Sequence, residues 1–377
     1  MTEAFAGSEL SSPAPQQAVF IVGSGRSGSS ALACTLQILG MHVPAPEVPP
    51  DNTNPKGFGE SQWVVDLHDR MLRRANVAVS DARPQAWFDT GKLSTNERLR
   101  ETVKAWAEAQ FSEDISEIVL KDPRLAWFIG LWRSAVLRSG VEPSYAVTLR
   151  PPAEVIASKQ KYYSVRVSES SRAASWVNHM LHTERATRGS RRVFVRYHDL
   201  LDDWTVPIYR LGESFELEAV RTATAKELRR VHDFIDPDLR RVRGSSDDLD
   251  LPPALRTVVE ETWQHLDQLV DGSGDTAESH SVLDEIRLEY TRIYEEAESL
   301  AESTTLAARR KRQAERRGVD AADPAVLPDE PLDAPVDEAD PPPAGAPDLS
   351  PTSPAVERPE PRPEARKRGL LSRRSGS

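Results

Sequence analysis

The sequence contains almost no cysteine. Cys34 is the single one in 377 residues, which excludes an intramolecular disulfide framework and predicts a cytoplasmic protein. Its place among helix-spaced leucines points to packing. No apolar run reaches transmembrane length, and the first residues lack the basic-then-apolar order of a secretory signal. Apolar residues make up only 38%, below the usual share for a globular chain. Excess positive charge is absent too. With 59 acidic and 48 basic residues the net charge is −11, which argues against nucleic acid as a partner. There is no internal repeat. Proline is what the chain has in excess, 29 of them, and their placement divides it.

Residues 1–16 read as a disordered leader. Nearly half of the 29 prolines fall beyond Gly318, mixed with Asp, Glu and Ala, so 318–377 reads as a disordered tail that closes in the basic run Arg362 to Arg374. Before it, 276–317 reads as one long helix. Leu283, Ile286, Tyr290 and Ile293 give it an apolar face, and it turns wholly polar past Leu306. Residues 281–317 could project from the body or meet a partner helix, so a protein partner is placed there. The remaining span, 17–275, is long enough for one large domain.

Within that span, Ala18-Val19-Phe20-Ile21-Val22 has the length and branching of a buried strand. A glycine-rich loop, Gly23-Ser24-Gly25-Arg26-Ser27-Gly28-Ser29-Ser30, follows at once. Leu32, Leu36 and Leu39 then fall at helical spacing and end at Gly40. Strand, loop and helix N-terminus together make an anion cradle. The loop lacks the lysine of a nucleotide-hydrolysing P-loop: the glycines at 23 and 28 keep the spacing, but Ser29 follows. The positive charge stands inside the loop instead, as Arg26.

Three more short apolar runs, 117–120, 145–149 and 193–197, alternate with helical patterns. The predicted fold is α/β: a three-layer, P-loop-like parallel sheet with helices on both faces. Met41 to Phe58 carries Pro44, Pro46, Pro49, Pro50 and Pro55 and reads as a long functional loop. Glu60 lies just before the helical pattern of Trp63, Leu67 and Met71. Ser94 and Glu97 predict a capping box. Further helices are expected over 169–187, 208–233 and 253–272. The 23–30 loop, Lys121-Asp122-Pro123-Arg124 and Arg150 to Ser158 each follow a strand, so all three should meet at the carboxyl edge of the sheet.

In this form, the loop resembles the 5′-phosphosulfate loop of sulfotransferases, which use 3′-phosphoadenosine 5′-phosphosulfate (PAPS) as donor. Arg150 at a strand end with Ser158 eight positions on is similar to the pair that holds the donor's 3′-phosphate in that family. A dianionic phosphate suits a fork of donors plus a hydroxyl. The motif style is nearest to the tyrosylprotein and carbohydrate types. The resemblance spans residues 17–245 and implies a donor site of Gly25, Arg26, Ser27, Gly28, Ser29, Ser30, Arg150 and Ser158. It implies Arg26 and Lys121 as catalytic groups on the transferring sulfuryl, Glu60 as general base, an acceptor bearing a hydroxyl, and no metal. The acceptor could be a sugar, a glycolipid, a small alcohol or a tyrosine.

Each residue has a plainer reading. Glu60 could be an exposed partner of a helix dipole, Lys121 a salt-bridged lysine near Asp122 or Glu60, and Arg150 a surface residue. His68 is the fallback base or a helix-surface histidine. His179 and His182, three apart, lack a third metal ligand and read as surface or cleft residues. The G-x-x-G-x-W-K segment of cytosolic sulfotransferases has no counterpart, and Arg240, Arg241 and Arg243 stand as its replacement. The competing functions are a divergent P-loop kinase or NTPase, disfavoured by the missing lysine, and a non-catalytic nucleotide-binding scaffold.

Overall fold

Each of the four apolar runs becomes one strand of a single sheet: β1 (Gln17–Val22), β2 (Glu117–Lys121), β3 (Pro143–Leu149) and β4 (Arg191–Arg196). The computed structural model describes residues 15–163, 167–236, 244 and 249–301. Most of the leader, Arg240, Arg241 and Arg243, and everything from 302 through the proline-rich tail lie outside the described residues. The strands lie in the order β2-β1-β3-β4 and every pairing is parallel. Phe20 faces Leu120 on one side and Tyr145 on the other. The chain thus steps from β1 one way to β2, then back across it to β3 and β4. The order reverses between β1 and β3.

Parallel neighbours need long crossovers, and these carry helices onto both faces. The first crossover holds α1 (Ser29–Ile38), α2 (Gln62–Ala75), α3 (Ala86–Ser94) and α4 (Glu97–Glu108). The second is a 3-10 turn (Pro123–Phe128) running into α5 (Ile129–Arg138). The third holds α6 (Pro152–Tyr162) and α7 (Glu169–Thr187). After β4 come α8 (Tyr197–Asp202), α9 (Thr205–Phe215), α10 (Glu218–Arg221), α11 (Ala225–Phe234), α12 (Pro253–Gln268) and α13 (Ala277–Ala301).

Strand alternation splits the core in two. Ala18, Phe20 and Val22 enter one core with Leu67 of α2, Trp132 of α5 and Trp176 of α7. Val19 and Ile21 enter the other with Leu32 and Leu36 of α1 and Leu211 of α9. The result is the three-layer α/β arrangement expected from the sequence.

Three local readings change. The Ser94–Glu97 capping box does not form: Ser94 ends α3, and Asn96 caps α4 by accepting from the Leu99 N–H at 3.0 Å. Asparagine ranks level with serine as a cap, and it stands next to the helix. The helix expected over 208–233 is broken, because Glu216 takes a left-handed φ of 57° and ends α9. A Thr224–Glu227 capping box then opens α11. The apolar face of α13 is occupied by the chain itself: Leu283, Ile286 and Tyr290 are buried, and the helix lies against α7 and α12. Burying side chains such as Leu283 and Ile286 stabilises by about 1.5–3 kcal/mol each. The Tyr290 hydroxyl donates to the Ala82 carbonyl. No helix among the described residues is long and apolar enough to cross a membrane.

Candidate active site

A cavity of about 580 Å³ opens at the carboxyl ends of β1, β2 and β3, where the strand order reverses and open α/β sheets take ligands. Its floor is the loop after β1. Gly23 and Gly28 both have positive φ, 135° and 93°, and both are pressed close. A Cβ on Gly28 would lie 2.1 Å from the Tyr197 ring, and one on Gly23 would lie 2.7 Å from the Thr148 carbonyl. Only glycine fits either place. Arg26 itself has a φ of 75°, a conformation that costs an ordinary side chain about 1–3 kcal/mol. Gly28 is the N-cap of α1, so Ser29, Ser30 and Ala31, which line the cavity, are first-turn residues whose N–H groups have no acceptor inside the helix.

Ser27 does something different from its neighbours. Its hydroxyl lies 2.6 Å from that of Thr148 and its N–H is bonded to the Ser24 carbonyl at 3.2 Å. It is buried and off the cavity lining, so it shapes the loop from below. Gly25, Arg26, Gly28, Ser29 and Ser30 all face the cavity.

The loop arginine gathers the residues after β3. Arg26 Nε donates to Ser158 Oγ at 3.1 Å, and Arg150 Nη1 donates to the Arg26 carbonyl at 3.2 Å. The Arg26 guanidinium lies over the Tyr162 ring and that of Arg150 over Tyr197, at 4.5 and 4.7 Å. Arg150 is buried, not a surface residue. Its Nε donates to Glu154 Oε2 at 2.9 Å, and His198 reaches the same oxygen at 3.2 Å. Glu154, one helical turn beyond Arg150 and buried, thus holds the guanidinium in place. Two forks and a hydroxyl converge, the donor set that a phosphate wants.

A second group stands at the end of β2. Lys121 Nζ donates to Ser30 Oγ at 3.0 Å and is paired with Glu60 Oε1. Both are buried, Glu60 7% and Lys121 4% exposed, so Glu60 is not an exposed helix-terminal charge. It precedes Ser61, the N-cap of α2. Burial pushes the Glu60 carboxyl up, against the pull of the Lys121 charge. A carboxylate bridged by lysine to a first-turn serine of the anion cradle can take a proton and steady negative charge at one spot.

Asp122 points the other way, as strand alternation requires. It accepts from Arg124 and lies 2.7 Å from His68 Nδ1. The Trp132 indole N–H, which can only donate, meets His68 Nε2 at 2.8 Å. His68 is therefore the Nδ1–H tautomer, stacked on Phe128 at 5.1 Å and fully buried. It is neither a surface histidine nor a cavity group. Burial alone would raise the Asp122 carboxyl, but the His68 hydrogen bond and the Arg124 charge outweigh it and hold it below the usual range.

His179 is buried and His182 half-buried. Their Nε2 atoms lie 3.1 Å from the Gly23 carbonyl and 3.0 Å from the Ala126 carbonyl. Burial pulls their pKa values to about 4 and about 3. His179 alone lines the cavity. Among the described residues no group of three or more His, Cys, Asp or Glu side chains is placed to hold a metal. Cys34 is buried, and burial pushes its thiol up to about 11, as suits a packing residue. Sequence reasoning missed Glu154, Tyr197, Lys159 and Arg172. The i,i+4 spacing of Arg150 and Glu154 was a legible signal for the first.

No protein-family model matches this chain, and no curated protein matches it. Solved structures similar to it include three sulfotransferase structures. The sulfotransferase domain of the Synechococcus olefin synthase is 17% identical, with a TM-score of 0.41 over 67% of this chain and 95% of that one. The sulfotransferase domain of the curacin biosynthetic pathway is 16% identical, with a TM-score of 0.38 over 68% and 99%. A sulfotransferase from Mycobacterium tuberculosis is 16% identical, with a TM-score of 0.33 over 67% and 77%.

Proposed function

We propose that this chain is a sulfotransferase that moves a sulfuryl group from PAPS to an acceptor hydroxyl. One observation carries the reading: the anion cradle, the Arg26–Ser158–Arg150 cluster and the Glu60–Lys121 pair share one cavity. The residues present fit the donor. Arginine forks and a buried hydroxyl suit the 3′-phosphate, loop amides at a helix N-terminus suit the 5′-phosphate, and the close approach at Gly28 leaves no room for a side chain.

When bound, the donor supplies an activated sulfuryl group. The acceptor oxygen bonds to sulfur while the bond from sulfur to the bridging oxygen breaks, and that electron pair leaves on the 5′-phosphate. Glu60 receives the acceptor's proton, a contribution of about 10²–10⁴-fold. Lys121, held between Glu60 and Ser30, steadies the transferring group. Arg26 and the first-turn amides stabilise the leaving phosphate. A sulfuryl group carries less charge than a phosphoryl group, so the scheme calls for no metal ion.

Calorimetric titration with adenosine 3′,5′-bisphosphate and with adenosine 5′-monophosphate tests the reading, together with transfer from labelled PAPS to a panel of hydroxyl acceptors. The bisphosphate should bind about ten- to a hundredfold more tightly, the value of one charge-assisted contact. Equal affinities would overturn the assignment.

A further inference from the structure

Lys159 follows Ser158 on α6 and is 6% exposed. Its ammonium donates to Ser80 Oγ at 3.1 Å, and no carboxylate among the described residues lies within ion-pair distance of it. Its charged neighbour is another cation. Arg172 of α7, also 6% exposed, repels it, and burial with that repulsion pulls the lysine to about 8. Ser80, Ser171, Ser175 and His179 complete this stretch of wall, and all of it lines the same cavity as Glu60 and Lys121.

A buried cation beside a second one is costly unless an anion joins them. Arg172 has a carbonyl on it, that of Val167 at 3.2 Å from its Nε, whereas the Lys159 ammonium is bonded to a neutral hydroxyl. The surrounding groups named here are hydroxyls and a histidine that burial keeps uncharged at neutral pH, so none of them repels a negative ligand. Lys159 shares α6 with Ser158 of the donor cluster, but the groups around it come from other elements. Ser80 comes from the connection between α2 and α3, and Arg172 and Ser175 come from α7, whereas Arg150 and the loop follow β3 and β1.

We infer that the acceptor carries an anionic group apart from its reacting hydroxyl, and that Lys159 with Arg172 receives that group. The inference rests on the sulfotransferase reading, and it narrows the acceptor to acidic hydroxyl compounds. The anion is a carboxylate or a phosphate ester. Two cations and three hydroxyls suit either, and the test separates them.

The full chain, saturated with adenosine 3′,5′-bisphosphate so that the donor phosphates are filled, is titrated calorimetrically with inorganic phosphate, with 4-hydroxyphenylacetate and with its methyl ester. At least one anion should bind, and the ester at least tenfold more weakly than the acid if carboxylate is the class. Lys159→Met should weaken anion binding about ten- to a hundredfold while bisphosphate affinity stays within about twofold. Lys159→Arg, which keeps the charge, should retain most of the anion affinity. The inference is overturned if the wild type binds neither anion, or if acid and ester bind alike and phosphate not at all. It is equally overturned if Lys159→Met spares anion binding or weakens the bisphosphate instead, which would make Lys159 a donor residue. Failure of the wild type to bind the bisphosphate would sink the sulfotransferase reading instead, and anion titration of the unliganded chain would still decide the site.

Discussion

Glu60→Gln separates two roles of one carboxylate. Glutamine keeps the shape and reach but cannot accept the acceptor's proton, so turnover should fall by about 10²–10⁴-fold. The same change strips Lys121 of its charge partner. Both side chains are more than nine-tenths buried, and removing one member of such a pair costs about 3–5 kcal/mol. Against a total stability of about 5–15 kcal/mol the melting temperature should drop visibly, so lost activity alone would prove little. Adding Lys121→Met removes the stranded charge and should restore most of the stability. It should not restore turnover. The assay is single-turnover transfer from labelled PAPS at a temperature where circular dichroism shows each variant folded, with melting followed on the same preparations. In the wild type, turnover should be lost as pH falls through the Glu60 value, which burial sets above the ordinary carboxylate range; that limb should vanish in the glutamine variant. Turnover within a few-fold of wild type in the folded single variant would refute the base assignment. Turnover that returns with stability in the double variant would do so as well.

Three further outcomes are expected. Arg150→Ala should erase most of the preference for the bisphosphate over the monophosphate in calorimetry, and an unchanged ratio would remove Arg150 from the 3′-phosphate. Gly28→Ala places a Cβ 2.1 Å from the Tyr197 ring at a φ of 93°, so bisphosphate binding should be lost and the melting temperature lowered; near-normal binding would show that the loop is not the cradle. Lys159→Met should raise stability at pH 7, because a lysine moved from its ordinary 10.5 to about 8 by burial and by Arg172 costs the fold about 3 kcal/mol while charged. Its folded pKa is depressed, so that cost is full below about pH 8 and fades toward 10.5. Ser80, Arg172 and His179 supply no negative charge to offset it. The gain should therefore shrink in alkaline buffer, and a lower melting temperature at pH 7 would contradict the unpaired-cation description.

The strands were legible because each is an apolar run bounded by turn residues, and their alternation with helices implied the parallel sheet and hence the edge where loops meet. What failed was chemistry without a pattern. Nothing near Glu216 announces its left-handed turn, so one helix was read where several short ones stand. At the site, Arg26 was singled out as the charge of the loop after a strand, and Arg150 with Ser158 by their spacing's resemblance to a family's phosphate-holding pair, both local properties. The Glu60–Lys121 pair joins residues 61 apart, and the Lys121 ammonium lies over the Phe58 ring at 5.9 Å, neighbours that only the folded chain brings together. Lys159 and Arg172 could not be singled out, since a charged residue on a helix reads as solvated until the packing is known. His68 was legible and misread: Val64, Leu67 and Met71 place it on the inward stripe of α2.

The segment between α2 and α3 forms no helix or strand over residues 77–85, yet Ala78, Val79 and Ser80 are a wall of the cavity. Its shape is borrowed. Asn178 of α7 donates to the Asp81 and Arg83 carbonyls at 2.9 and 2.8 Å, and Tyr290 of α13 donates to Ala82 between them. In mechanical terms α13 is a strut behind a curtain wall. A force that lifts α13 would pull on this side of the cavity through the Tyr290 phenol, more than two hundred residues along the sequence from the carbonyl it braces.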